Sequence, residues 1–96
     1  MPRRSRALRD EAGHTVSMYF VYLLQSISTP ERKYVGITDD PQRRLMEHNN
    51  GQSIHTNKFK PWALMTYVAF DNQKKAQDFE RYLKSHSGRA FAKKHL

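Results

Sequence analysis

Residues Tyr34 to His48 read YVGITDDPQRRLMEH, and the change of pattern inside this stretch decides the fold. Lys33 to Ile37 is a short β-rich run. Thr38 to Pro41 supplies a turn and then the start of a helix, with Asp39 or Asp40 as N-cap and Pro41 in the first turn. Leu45 can anchor that helix, with Met46 beside it, and Asn49, Asn50 and Gly51 end it. Arg44 and His48 are four residues apart, so both lie on one helical face.

Upstream, Tyr19 to Gln25 is apolar or aromatic at nearly every position, as in a strand covered on both faces and central in its sheet. Ser26 to Arg32 contains Pro30 and polar residues, and it is short enough to be a hairpin loop that returns the chain antiparallel at Lys33. With the loop centred near Ser28 or Thr29, Tyr22 lies opposite or diagonal to Tyr34. Both then point to the same face, because strand side chains alternate with period two. Downstream, Gln52 to Pro61 is polar and basic, carrying Lys58 and Lys60, and is expected to be a loop near a ligand. Trp62 to Phe70 makes a third strand. Asp71 or Asn72 caps a helix running to about Lys84, in which Ala76, Phe79 and Leu83 form a buried stripe. Glu80 borders that stripe, where a lone carboxylate needs a partner. Ser87 and Gly88 are expected to break the helix, and Arg89 to Leu96 to form a short terminal one. The fold class is therefore α/β of the α+β type, a three-stranded antiparallel sheet flanked by three helices.

Composition sets the limits around this reading. The chain has 96 residues, which makes one small domain with one site. Its 17 Lys and Arg against 9 Asp and Glu give a net charge of +8, and the pI is about 10.1. An excess of that size favours a polyanionic partner, nucleic acid first. There is no cysteine, which excludes disulfides and thiolate metal sites. Apolar runs are strand-sized, short of the roughly 20 residues a membrane span needs, so a cytoplasmic protein without a membrane partner is expected. Residues 1–17 carry Arg3, Arg4, Arg6 and Arg9 and almost no large apolar side chain, and are expected to be a disordered basic arm preceding a domain at 18–96. Met18, just before the first patterned residue, is a candidate alternative start.

The ordered series Tyr22, Tyr34, Gly36, Arg44, His48, Glu80 resembles the GIY-YIG nuclease signature. Tyr34-Val35-Gly36 matches its second half, with valine for isoleucine. Phe20-Val21-Tyr22 stands for the first half, where only the tyrosine matches strictly. The Arg-Arg-Leu-x-x-His segment and the C-terminal Ser-Gly-Arg-Ala-Phe segment look like small, free-standing bacterial members. The resemblance extends from Met18 to the C-terminus. It implies the GIY-YIG fold and metal-dependent endonucleolytic hydrolysis of DNA, with structured, branched or damaged DNA as substrate. It also implies one Mg²⁺ or Mn²⁺ ion held by Glu80, and a catalytic nucleus of Tyr22, Tyr34, Arg44, His48 and Glu80.

Those residue types suit the chemistry. Hydrolysing a phosphodiester needs an activated water, neutralisation of phosphoryl charge and help for the departing oxygen. Arg44 can present a permanent planar charge to a phosphate oxygen. A single carboxylate suffices for magnesium when waters and phosphate complete its shell. A phenol is ionised in only about one molecule in a thousand at pH 7, so a nearby cation must help Tyr22 or Tyr34 to act as base, and spacing does not choose between them. His48 can orient the tyrosine or relay a proton. Gly36 can admit a close phosphate, and Lys58, Lys60, Lys84 and Arg89 are candidate backbone contacts. Some relatives carry a lysine soon after the glycine, where Ile37 and Thr38 stand here. The competing expectation is a catalytically inactive nucleic-acid-binding module on the same scaffold. A third is a basic face for RNA or a protein.

Overall fold

In the computed structural model residues 7–9 and 15–96 are described. Within the segment expected to be a basic arm, β1 (Ala7–Arg9) pairs antiparallel with β2 (Thr15–Ser17), Leu8 opposite Val16. Residues 1–6 and 10–14 lie outside the described residues.

Three strands form the main sheet: β3 (Tyr19–Ser26), β4 (Lys33–Thr38) and β5 (Trp62–Phe70), in the order β4-β3-β5 and antiparallel throughout. The central place of β3 follows from its apolar run, because both faces of a middle strand are covered. Tyr22 pairs with Gly36, and Tyr34 with Leu24. The two tyrosines are thus diagonal neighbours on one face, as the loop position predicted.

Period-two alternation divides the core. Val21 joins Ala76 and Leu83 on one face, with Val35, Ile37 and Phe79 packed around them. Tyr22, Leu24 and Trp62 form the cluster on the other, with Tyr34, Leu45 and Leu64 against it. Helix α1 (Pro41–Asn49) brings Leu45 to the Tyr22 face, whereas α3 (Gln73–Leu83) and α4 (His86–His95) cover the Val21 face. Both long caps are local chemistry: the side chain of Asp40 accepts from the Arg43 amide, and that of Asn72 from the Lys75 amide.

Two boundaries differ from expectation. Residues Ile54–Asn57, expected within a loop, form a one-turn helix α2 in which the amides of Thr56 and Asn57 donate to the Ser53 carbonyl. One turn is too short to show apolar periodicity, which is why four helices stand among the described residues where three were expected. The terminal helix also starts three residues early. Ser85 caps it by accepting from the Gly88 amide, so Gly88 lies inside the first turn instead of breaking the chain. It is buried because a side chain there would meet the Tyr82 carbonyl, the last turn of α3 passing directly over it.

Candidate active site

The site is organised by the hydroxyl of Tyr22. This residue is 1% exposed, and its ring lies across β4 over Gly36, so that any Cβ on residue 36 would overlap the phenol. Glycine is needed here for an internal reason. The expected approach of a phosphate to Gly36 is corrected: Gly36 is itself buried, and the space its missing side chain leaves is taken by Tyr22.

The Tyr22 hydroxyl lies 2.8 Å from Nε2 of His48, which is fully buried. On its other side the His48 ring meets Thr56, with Nδ1 2.7 Å from Oγ1. Thr56 in turn donates its hydroxyl proton to the Ser53 carbonyl at 3.4 Å. That leaves the threonine oxygen to accept from Nδ1–H, so Nε2 accepts from the Tyr22 hydroxyl. The Tyr34 ring packs tilted at 60° against His48 with 5.0 Å between centroids, and its centroid is 6.1 Å from that of Tyr22.

Charge completes the arrangement. Burial raises the Tyr22 pKa to about 12. The adjoining Arg44 guanidinium works against the rise, while Tyr34 and Glu80 add to it. Glu80 rides on the helix of the opposite face, and its negative charge adds slightly to the rise at Tyr22. Arg44 is opposed by its own burial but favoured by bonds to Glu47 (2.9 Å) and Tyr22, which carry its pKa above the ordinary value. His48 is pushed down to about 4, first by burial and then by the Arg44 charge, with Glu47 opposing. It is a neutral imidazole at physiological pH.

Tyr22, Tyr34, Arg44 and His48 are brought together on one face of the sheet, and Glu80 stands on the helix that covers the other face. Glu80 makes an ion pair with Lys84 at 3.2 Å, the partner its position beside an apolar stripe demanded. Among the described residues no three His, Asp or Glu side chains cluster to hold a metal. The Glu80 carboxylate suits a hard, oxygen-seeking cation whose remaining positions water and substrate would fill. The other expected contacts are divided: Lys58 and Lys60 are exposed after α2, whereas Lys84 and Arg89 line a groove beside β4.

Sequence reasoning missed Thr56, Ser53 and Asn49. Asn49 ties the end of α1 to β5 by accepting from the Trp62 amide (2.6 Å) and donating to its carbonyl (3.1 Å). Trp62 Nε1 donates to the Thr56 carbonyl at 2.8 Å, fixing the turn that presents Thr56 to His48. In the sequence Ser53 and Thr56 showed only as part of a polar segment expected near the ligand, and Asn49 only as part of the stop signal of α1.

His48 yields a stability prediction. Its pKa in the folded protein, about 4, lies below the ordinary 6.5 of the unfolded chain. The unfolded state therefore binds more protons between those values, and stability rises with pH through that window. The contribution is complete above pH 6.5 and is lost as pH falls towards 4. The shift corresponds to about 3 kcal/mol. Denaturant melts at pH 4.5 and 7 should show this loss, and His48→Gln should flatten it; an unchanged slope in that variant would contradict the assignment.

A family model described as "GIY-YIG catalytic domain" matches residues 18–94. Among curated proteins, the chain is 42% identical over 72 residues to the structure-specific endonuclease subunit SLX1 of Debaryomyces hansenii, covering 68% of this chain and 21% of that protein. It is 41% identical over 91 residues to the same subunit of Scheffersomyces stipitis, covering 83% and 27%. To the SLX1 homologue of Drosophila persimilis it is 40% identical over 81 residues, covering 74% and 28%. The chain thus spans about a quarter of the length of these relatives. They are eukaryotic, whereas the C-terminal pattern had pointed to small bacterial members.

Proposed function

This chain belongs to the GIY-YIG family, and from that premise we propose that it is a metal-dependent endonuclease hydrolysing phosphodiester bonds in structured DNA. One observation carries the reading: the Tyr22 hydroxyl is bonded to buried His48 at 2.8 Å, with the Tyr34 ring against the same imidazole and the Arg44 guanidinium beside the phenol. Two polar side chains from α1 meet on a single buried oxygen of β3, which packing alone would not require.

The roles follow from magnitudes. Moving the Tyr22 proton to His48 would climb from a pKa of about 4 to one of about 12, a cost of about 11 kcal/mol. His48 is therefore an orienter of the phenol at rest, held in one tautomer by Thr56. Tyr22 gives up its own proton to solvent once positive charge gathers near its oxygen, and the phenolate so formed takes a proton from the attacking water. Arg44, partly exposed and beside that oxygen, would neutralise phosphoryl charge on turning from Glu47 toward a phosphate. Glu80 would hold the divalent ion in place of Lys84. When bound, such an ion supplies positive charge to the phosphoryl and departing oxygens. No side chain forms a covalent bond to DNA.

Structured DNA enters through the relatives named as structure-specific endonucleases. The experiment is to incubate the protein with linear, nicked, flapped and four-way DNA, with and without magnesium or manganese. Cuts beside the branch, only with metal, are expected. Binding without any cutting would leave the inactive-module reading.

A further inference from the structure

A groove of about 800 Å³ runs beside edge strand β4, between the β3–β4 hairpin and helices α3 and α4. Arg32 and Lys33 stand on one wall, and Lys84, Arg89 and Lys93 on the other, all exposed, against the single acid Glu31. Its floor is apolar: Val35 and Ala92, partly exposed, overlie buried Leu23 and Leu83. Two of its residues belong equally to the site around Tyr22. Tyr34 lies tilted against His48, and Lys84 pairs with Glu80. The groove therefore borders Glu80 through Lys84 and the phenol face through Tyr34.

We propose that this groove holds an unpaired DNA arm whose backbone leads into the site at Glu80. The arm's placement beside a scissile phosphate rests on the nuclease reading above. Cationic walls suit a sugar-phosphate backbone, but a duplex offers phosphates, sugars and base edges while keeping its base faces stacked, so it has little to lay on an apolar floor. An unpaired strand exposes base faces that an apolar floor can cover while its phosphates meet the lysines and arginines. The chain thereby recognises branched DNA by its single-stranded portion, without reading sequence.

The test uses the full chain in EDTA, so that binding is measured without cleavage. The double variant Arg89→Ser, Lys93→Ser alters two exposed groove residues outside the Tyr22 cluster. The probes are one fluorescent duplex with a single-stranded arm and the same duplex blunt-ended. The variant is expected to bind the armed probe about tenfold more weakly, with the slope of log affinity against log salt reduced by about 1.4, two single-strand phosphate contacts at about 0.7 each. Blunt-duplex affinity should hold. Equal weakening on both probes, or no weakening on either, overturns the proposal. Wild-type cleavage of the armed probe in magnesium, run in parallel, reports on the nuclease reading separately. Cleavage with unchanged variant binding sinks only the groove, and arm-dependent loss without cleavage sinks only the nuclease.

Discussion

Tyr22→Phe is expected to slow single-turnover cleavage of branched DNA by about 10²- to 10⁴-fold, the range for losing a positioned general base, while DNA affinity stays at the parent value. The substitution removes one oxygen and keeps the ring that fills the gap over Gly36. It deletes the atom on which Arg44 and His48 converge, and leaves Nε2 of His48 buried without its donor. That orphaned acceptor should cost about 1–3 kcal/mol of stability, which the protein survives and a thermal melt can measure. A variant that folds, binds and still cuts at the parental rate would remove Tyr22 from the chemistry.

The second large effect is expected from Glu80→Gln. Its carboxylate would hold the metal, and the amide keeps shape while losing charge. Magnesium-dependent cleavage should fall by at least about 10³-fold, the upper end for loss of one preorganised electrostatic contact. Stability should hardly change, because the pair with Lys84 is largely solvated on the lysine side and such pairs are worth about 0–1 kcal/mol. DNA affinity should hold or rise, since Lys84 is released beside the groove. Full activity in this variant would show that the ion, if needed, is held elsewhere.

Much of this arrangement was legible because it depends on local rules. Strand alternation put Tyr22 and Tyr34 on one face, helical spacing paired Arg44 with His48, and the turn residues Asp40, Pro41 and Gly51 bounded the helix between them. What escaped depends on contacts distant in sequence or confined to one turn. Gly36 was assigned to phosphate because its lack of a side chain suggests access; only the register shows that Tyr22 uses the space. Thr56 looked like one more polar loop residue, and its role appears only once α2 and Trp62 fix its position under His48. Gly88 passed for a helix breaker because glycine usually marks an end, whereas here it allows two helices to touch.

That Tyr22, Arg44, His48 and Glu80 work as one phosphodiester-cleaving site is tested most directly by following a flapped or four-way DNA under single-turnover conditions with magnesium, for wild type and Glu80→Gln at matched DNA occupancy. Wild type should nick beside the branch and stop when EDTA is added, and the variant should leave the same bound DNA intact. Bound DNA that wild type leaves whole across magnesium and manganese, or that both proteins cut alike, would contradict it.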